Sequence, residues 1–258
     1  MNHRPSTIAS AANERWQQLP MNEDLYADPL AGKSIPPQGL LPRLHFYGRR
    51  SGYLYAALSF VGRKSFSFWR WVAPAFTQRK IRAWLERPGR HILNLGGGSN
   101  TFDRWLTADM DPRADVYVDV TKPLPFPDTS VDVVYLEEVI EHISREQGTE
   151  LLAECYRILK SDGVLRLTTP DLGAFASQFD GSVAFETKFN DIFYQHGHRY
   201  IYAKSGVRNS LSQAGFTAIA DSSFRDKKSR YGYFDTHALR FSVSDSTMTQ
   251  YWDAQKSS

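Results

Sequence analysis

Three short segments in the middle of the chain each follow an apolar run and could together bind a nucleoside. The first is the glycine-rich segment 96–100, where the absence of Cβ atoms lets a ligand lie against backbone N–H groups that bind carboxylates or phosphates. The second is Asp109, because a carboxylate at a strand end can accept hydrogen bonds from both hydroxyls of a ribose. The third begins at Asp119 and continues into the rigid, partly apolar loop 124–128, which suits the flank of an adenine ring. The sequence therefore predicts an adenosine site.

The spacing of these segments bears on which adenosine compound binds. A dinucleotide fingerprint needs a third glycine at the start of a helix and an acidic residue about 20 residues further on. Thr101 stands where that glycine would be, and Asp109 comes only 13 residues after Gly96. A pyrophosphate is therefore disfavoured, and a dinucleotide-dependent oxidoreductase is a remote alternative.

The elements that would position these segments alternate between apolar strands and helices. The predicted strands are 91–95, 105–110, 116–120, 131–136 and 164–168. A capping box of Ser144 and Gln147 predicts a helix that ends at Gly163, and a second helix is predicted from a Ser205 cap to Gly215. This order indicates an α/β fold in which a mostly parallel sheet carries helices on both faces and binds ligands at the carboxyl ends of its strands.

The first two crossovers of this sheet are unusually short. Only residues 96–104 separate the first two strands, and only residues 111–115 separate the second from the third. A parallel crossover usually takes a dozen or more residues. We therefore expect these connections to be abbreviated to a helical turn or an extended link.

Four motifs resemble those of the class I S-adenosylmethionine-dependent methyltransferases. The matching segments are 91–99 (HILNLGGGS), 107–111 (TADMD), 119–142 and 157–167 (RILKSDGVLRL). The resemblance covers roughly residues 90–216, and the short crossovers are similar to a compact bacterial branch of type-11-like methyltransferases often linked with surface-glycan synthesis. It implies a Rossmann-like fold and S-adenosylmethionine as the cofactor.

The resemblance also implies how the glycine loop and the second strand contact that cofactor. Gly96 and Gly98 would face its methionine part, and an aspartate its ribose. Asp109 and Asp111 are both candidates for the ribose ligand, and Asp109 is better aligned with the strand end.

By the same resemblance, Met110 would cover one face of the adenine and Asp119 would bind its amino group. Glu137 and Glu138 would end the fourth strand beside the sulfonium. The predicted cofactor-binding residues are Leu95, Gly96, Gly97, Gly98, Ser99, Asn100, Asp109, Met110, Asp119, Val120, Glu137 and Glu138.

Methyl transfer makes few demands on catalytic side chains. It is a direct displacement at a cationic sulfur, so the alignment of nucleophile, carbon and sulfur supplies much of the acceleration. A general base is needed only where the acceptor must lose a proton early, as with a sugar hydroxyl or a phenol. The candidates are His142, His196, His198 and Tyr200.

His198 is the preferred catalytic residue, and His142 is the second. His198 lies in a Gly-His-Arg segment after the fifth strand, where this branch resembles others that carry such a segment beside the pocket. The alternative for either histidine is that it only fastens its own loop. Asp171, which follows the fifth strand, is expected to cap the next helix.

A metal site is a further alternative for the histidines. His196, His198, Glu141 and His142 are of suitable ligand types, but nothing in the sequence fixes their spacing, and no metal is predicted. Cys155 is the single cysteine, which excludes a disulfide framework and a thiolate zinc site and indicates a core residue.

The N-terminal part of the chain differs from the rest in charge. Residues 41–90 hold eleven Lys and Arg, one acidic residue and eleven aromatic residues, whereas the whole chain has a net charge of only +3. We predict a basic, aromatic and partly ordered extension over 1–75 and a methyltransferase domain over 76–258. The extension could pack on the catalytic domain, lie on an anionic membrane surface or bind nucleic acid, which is the least favoured of the three.

The combined prediction is a cytoplasmic methyltransferase that uses S-adenosylmethionine. Its methyl acceptor would be an oxygen or nitrogen of a small molecule or a glycan-type compound, and the protein could contact the inner face of the membrane. Two alternatives are an RNA methyltransferase and a non-catalytic module that binds the cofactor and is recruited to a membrane or partner. No apolar run approaches the ~20 residues of a transmembrane helix, and the N-terminus lacks the apolar stretch of a signal peptide.

Overall fold

A computed structural model of the protein describes residues 38–102, 104–226, 228–229, 235 and 248–257. Four helices come first: α1 (Leu40–Ser51), α2 (Tyr53–Gly62), α3 (Phe66–Val72) and α4 (Pro74–Leu85). We call these four helices the N-terminal arm. The domain boundary predicted after residue 75 lies inside α4, and residues 1–37 of the predicted extension lie outside the described residues.

The described residues form one seven-stranded sheet. Its strands are β1 (Ile92–Leu95), β2 (Leu106–Asp109), β3 (Val116–Tyr117), β4 (Val131–Glu137), β5 (Leu159–Pro170), β6 (Ala218–Ser222) and β7 (Thr249–Gln255). Their order is β3-β2-β1-β4-β5-β7-β6, with β7 antiparallel to both neighbours and the other pairs parallel. This confirms the Rossmann-like, mostly parallel sheet, and it places the switch point between β1 and β4.

The helices that follow β4 are a short 3-10 helix (Ile140–His142), α5 (Arg145–Ile158), α6 (Leu172–Ser177), α7 (Val183–Tyr194) and α8 (Lys204–Gln213). The capping box of α5 is confirmed, because Gln147 N donates to Ser144 Oγ over 3.3 Å and Ser144 N donates to Gln147 Oε1 over 3.0 Å. Asp171 caps α6 as predicted by accepting a hydrogen bond from Gly173 N at 2.8 Å.

Four predicted element ends are wrong, one of them the start of the fifth strand, which begins at Leu159 and not at residue 164. The α5 helix ends at Ile158 and not at Gly163, because Leu159 is already extended and pairs with Val131 of β4. The α8 helix begins after Ala203, which has extended backbone angles, so Ser205 lies inside the helix and does not cap it. The third strand stops at Tyr117 and not at residue 120, because the chain turns at Asp119.

The short early crossovers are confirmed. Among the described residues of 96–105 and 110–115 there is no helix between the strands. The links are held by backbone hydrogen bonds instead, from Gly96 N to Ala108 O (2.8 Å) and from Asp115 N to Thr107 O (2.9 Å). The glycine loop therefore lies directly against β2.

The sheet has a buried cluster on each face, as alternation along a strand requires. Val134 and Leu136 of β4 belong to the main core, with Leu152 and Cys155 of α5, so the prediction that Cys155 is a core residue is confirmed. Val133 and Tyr135 point to the opposite face and pack with other apolar side chains: Phe102, Trp105 and Val164.

The N-terminal arm packs beside the short edge strand β3. Trp69 and Tyr55 are buried with Tyr117 in one aromatic cluster. Arg50 of α1 forms an ion pair with Asp115 in the link between β2 and β3, with 2.5 Å between Nε and Oδ1. These contacts agree with the interpretation that the arm packs on the catalytic domain. No helix of the described part of the chain is long and apolar enough to cross a membrane.

Candidate cofactor and acceptor site

The glycine loop after β1 has a backbone that only glycine readily adopts. Gly96 and Gly98 have φ values of +75° and +55°. A Cβ on Gly96 would lie 2.4 Å from Val139, and one on Gly97 would lie 2.1 Å from the Asn94 amide, whereas one on Gly98 would meet nothing within 4 Å. Gly98 therefore borders open space that a ligand can fill.

Asp109 at the end of β2 holds this loop in place. Its two carboxylate oxygens accept hydrogen bonds from Gly98 N and from Asp111 N, each at 2.8 Å. Burial raises the pKa of Asp109, although the two backbone donors oppose that shift. Each oxygen keeps a further lone pair, so the carboxylate can still accept the hydroxyls of a ribose.

Asp111, the other candidate ribose ligand, is engaged elsewhere. It forms a forked ion pair with Arg113, whose Nη2 lies 2.6 Å from Oδ2. Burial acts to raise the pKa of Asp111, but the hydrogen bonds from Arg113 outweigh it and lower the pKa. This pairing leaves Asp109 as the carboxylate that supports the glycine loop.

A cavity of about 750 Å³ opens beside the glycine loop at the carboxyl end of the sheet. Of the predicted site residues, it is lined by Gly96, Gly97, Gly98, Ser99, Asn100, Glu137, Glu138, His142 and His198. Its far wall comes from α6, α7 and the start of β7, with Phe175, Ala184, Thr187, Lys188, Asp191, Ile192 and Met248. The structure thus joins the predicted cofactor loop and both predicted catalytic histidines in one space.

The other predicted cofactor residues, Asp109 among them, do not line this cavity. Leu95 is buried in the main core, and Val120 packs against it. Asp119 accepts hydrogen bonds from Thr121 N (3.0 Å) and Thr121 Oγ1 (2.7 Å), so its carboxylate caps its own turn. Met110 packs in the aromatic cluster of the arm.

A second cavity of about 520 Å³ lies between the arm and the link from β2 to β3. It shares Ser99 and Arg113 with the first cavity, and its other lining residues are Arg43, Tyr47, Gly62, Arg63, Phe66, Asp111 and Pro112. Arg113 is a lining residue that none of the sequence motifs indicated. The signal for it is its place in the Asp-Pro-Arg turn 111–113, which begins two residues after Asp109.

Two carboxylates close the first cavity at the end of β4. Glu137 accepts a hydrogen bond from Tyr135 Oη at 2.9 Å. Glu138 has a φ of +54°, and Thr168 Oγ1 donates to its Oε1 over 3.1 Å. A positive φ is uncommon for a residue with a side chain and tends to occur at functional sites. Adjacent carboxylates favour a cation, such as a sulfonium, in this part of the cavity.

The predicted catalytic histidines contact each other and also line the cavity. The rings of His142 and His198 are 4.7 Å apart between centroids and nearly perpendicular. Burial lowers the pKa of His198 to about 4 and also lowers the pKa of His142, so both imidazoles are neutral at pH 7. Beneath them, Glu141 is 0% exposed and accepts a hydrogen bond from Thr169 Oγ1 at 2.9 Å; burial raises its pKa to about 7.

The central part of this sheet is similar to a known protein family. Residues 93–167 match a family model described as a methyltransferase domain. This segment, less than a third of the chain, is therefore similar to methyltransferase domains. The matched segment runs from β1 through β5 and therefore includes the glycine loop, Asp109 and both carboxylates at the end of β4.

Curated relatives of this methyltransferase domain match over a short stretch. A "probable S-adenosylmethionine-dependent methyltransferase" of Mycolicibacterium smegmatis is 38% identical over 65 residues, which is 25% of this chain and 24% of the relative. One from Mycobacterium tuberculosis is 38% identical over 65 residues as well. The chain thus matches only about a quarter of the length of these curated relatives.

Solved methyltransferase structures are also similar to the chain. A methyltransferase from Archaeoglobus fulgidus has a TM-score of 0.46 at 15% identity, covering 69% of this chain and 92% of that one. A phosphoethanolamine N-methyltransferase from Haemonchus contortus, in complex with S-adenosyl-L-methionine, has a TM-score of 0.45 at 18% identity, covering 70% and 52%.

The curated relatives are named for S-adenosylmethionine, and the residues present in this chain fit that cofactor. The open side of Gly98 offers a cradle that a side chain would fill. Asp109 provides a partly buried carboxylate that accepts a hydrogen bond from Gly98 N, and Glu137 and Glu138 line the cavity with negative charge for a sulfonium. The site thus has a backbone cradle, a hydroxyl acceptor and an anionic end.

Proposed function

We propose that the protein transfers a methyl group from S-adenosylmethionine to an oxygen or nitrogen of a small-molecule or glycan-type acceptor. The observation that carries this proposal is the single cavity in which the glycine loop and the carboxylates of β4 face a second wall of mixed polarity. One end of the cavity suits the cofactor, and the other has room for a second reactant. A module that only stored the cofactor would not need that second end.

The chain's own residues position the cofactor. Gly96, Gly97 and Gly98 would hold its methionine part, and Asp109 its ribose. The cofactor supplies an electrophilic methyl group on a positively charged sulfur, and Glu137 and Glu138 would orient that charge toward the cavity. Because the reaction is a direct displacement, this alignment provides much of the acceleration.

The far wall of the cavity would bind the acceptor. Phe175, Ile192 and Met248 offer apolar contacts, whereas Lys188 and Asp191 offer hydrogen-bonding groups. Such a mixture suits a ring or chain that carries hydroxyl or amino groups. His198 and His142 line the same part of the cavity, where a neutral imidazole can accept a hydrogen bond from a hydroxyl.

We also propose that the protein is cytoplasmic and touches the inner face of the membrane through the arm. Trp71 and Leu41 are 80% and 74% exposed, and they belong to the strongly basic part of the chain. Exposed apolar side chains among Lys and Arg suit a surface of anionic lipids. Sedimentation with vesicles tests this: the protein should bind vesicles that contain phosphatidylserine and not neutral ones, and the double variant Leu41→Ala, Trp71→Ala should bind less. Equal binding to both vesicle types, or to neither, would contradict the membrane contact.

Calorimetric titration with S-adenosylmethionine and S-adenosylhomocysteine tests the central proposal. We expect micromolar binding by the wild-type protein and at least a 10-fold loss in Asp109→Ala. Asp180→Ala, an exposed aspartate before α7, is the matched control and should bind like the wild type. An absence of binding by the wild-type protein at millimolar ligand would overturn the proposal. Formation of S-adenosylhomocysteine with candidate acceptors then separates an enzyme from a binding module.

A further inference from the structure

We propose that Glu141, His142 and His198 bind one divalent transition-metal ion at the acceptor end of the cavity. One ligand atom from each of these residues lies within 4.8 Å of the other two. The sequence places Glu141 and His142 next to each other and His198 more than 50 residues away, so only the fold brings the third ligand to the pair. His196, the other histidine of the same loop, is not part of this group.

Backbone hydrogen bonds fix the loop of His198 against Glu141. The amides of Arg199 and Tyr200 both donate to the carbonyl of Glu141, at 2.6 and 3.1 Å. The amide of His198 donates to the carbonyl of Ile192 at the end of α7, at 3.2 Å. The third ligand is therefore held in place by main-chain contacts on both sides, as a preformed site requires.

Two buried atoms of the group make no hydrogen bond of ordinary length within the described part of the chain, although the carboxyl of Glu141 also interacts with that of Glu138. Oε2 of the fully buried Glu141 accepts the hydrogen bond from Thr169, but Oε1 has no hydrogen-bond partner among the described residues. The same holds for the buried Nδ1 of His198. Buried polar atoms are normally satisfied, so each exception calls for an explanation such as an ion.

The distances are compatible with a shared ion. Nε2 of His142 lies 3.7 Å from the free Oε1 of Glu141. Two ligand atoms that bind one Zn²⁺ at ~2.1 Å each are at most ~4.2 Å apart, so this pair can bind a common ion as it stands. The remaining ligand atom lies within 4.8 Å of both, and reaching the ~3.4 Å separations of a tetrahedral site with ~2.1 Å bonds would require it to move by up to about 1.4 Å.

The surrounding groups are those that usually orient metal ligands. Thr169 hydrogen-bonds the carboxylate, and a ring nitrogen of His142 hydrogen-bonds the backbone of Gly197. Two imidazoles and one carboxylate are a donor set for zinc or for iron and cobalt in the +2 state. Because His142 and His198 line the cavity, the remaining coordination positions would face the acceptor.

Such an ion could bind an acceptor hydroxyl and lower its pKa, which would favour methylation of oxygen. This use of the ion rests on the proposed function, whereas the binding of the ion does not. The two can therefore fail separately. Binding of S-adenosylhomocysteine without binding of metal would refute the metal site and leave the proposed function intact. Binding of metal without binding of S-adenosylhomocysteine would refute the proposed function and leave the metal site intact.

Titration of the full chain with Zn²⁺ after treatment with a chelator tests the site. We expect one equivalent to bind, and we expect His198→Ala and Glu141→Gln each to weaken that binding at least 10-fold. His196→Ala removes a neighbouring exposed imidazole outside the group and should bind Zn²⁺ like the wild type. Circular dichroism and titration with S-adenosylhomocysteine show whether each variant is folded.

A second measurement does not depend on any variant. Co²⁺ bound to the wild-type protein should give visible absorption bands of an imidazole-ligated ion, and one equivalent of Zn²⁺ should abolish them. The metal site would be refuted by weak binding of several equivalents, by the absence of Co²⁺ bands, or by equal affinity in His198→Ala, Glu141→Gln and the wild type.

Discussion

Replacing Arg50 by alanine should loosen the N-terminal arm from the sheet. The guanidinium donates to both carboxylate oxygens of Asp115 (2.5 and 2.8 Å) and to the carbonyls of Phe102 (3.0 Å) and Trp105 (3.2 Å). The side chains of Arg50 and Asp115 are only 16% and 7% exposed. Breaking a buried ion pair by removing one partner costs 3–5 kcal/mol. Because Arg50 is partly exposed, we expect a loss of unfolding free energy at the lower end of this range, about 3 kcal/mol. We also expect weaker cofactor binding, because Asp115 accepts a hydrogen bond from Thr107 N, two residues before Asp109 in β2.

Urea denaturation followed by fluorescence, together with titration of S-adenosylhomocysteine, measures both effects. Arg49→Ala is the matched control, because Arg49 is the exposed neighbour in the same helix and should change the stability by less than about 0.5 kcal/mol. Arg50→Lys should recover only part of the loss, since an ammonium cannot make the forked contact. Equal stability of Arg50→Ala and Arg49→Ala would refute the assignment of Arg50 as the anchor of the arm.

Three further substitutions test other parts of the structure. Gly98→Val should weaken binding of S-adenosylhomocysteine at least 10-fold in calorimetry, because its side chain fills the open cradle; wild-type affinity would show that the cofactor lies elsewhere. Burial lowers the pKa of Lys80 to about 7. Between pH 7 and 10 the unfolded chain therefore binds more protons than the folded protein, and the free energy of unfolding rises by up to about 1.4 kcal/mol per pH unit. Lys80→Met should remove that part of the slope in urea denaturation at pH 7.5 and 9.5, and an unchanged slope would contradict it. Leu152→Ala should cost about 2–5 kcal/mol of unfolding free energy by calorimetry, because the side chain is fully buried in the main core; a cost below 1 kcal/mol would mean that the core is packed differently.

The parallel strands could be predicted from the sequence because a strand buried on both faces is a continuous apolar run. Strands β6 and β7 were not predicted. They pair antiparallel with each other at the edge of the sheet, and β7 comes from the end of the chain to pair with β5. Such pairing depends on contacts distant in sequence, which a local pattern does not contain.

The convergence of Gly98 and Asp109 followed from the rule that strand ends meet at one edge of the sheet. The contact between Glu141 and His198 did not follow from any such rule. It depends on main-chain hydrogen bonds from Arg199 and Tyr200 to Glu141, and the backbone bonds that a loop will form are not visible in its side chains. The contacts of the arm could not be predicted either. Its aromatic residues indicated that it is buried, but they did not indicate that Met110 would pack against them.

The arm and the cofactor site are physically continuous, and this continuity makes their stabilities interdependent. Trp69 Nε1 donates to the carbonyl of Met110 at 3.0 Å, directly after Asp109, and the cavity beneath the arm shares Ser99 and Arg113 with the cavity of the glycine loop. A ligand that binds only when the arm is docked stabilises the docked state by about 2.7 kcal/mol at 100 times its Kd. That gain is close to the loss of about 3 kcal/mol expected for Arg50→Ala. Saturating S-adenosylhomocysteine should therefore restore most of the stability of Arg50→Ala and protect its arm from proteolysis. If the ligand stabilised the protein but left the arm equally open to protease, docking of the arm and binding of the cofactor would be independent.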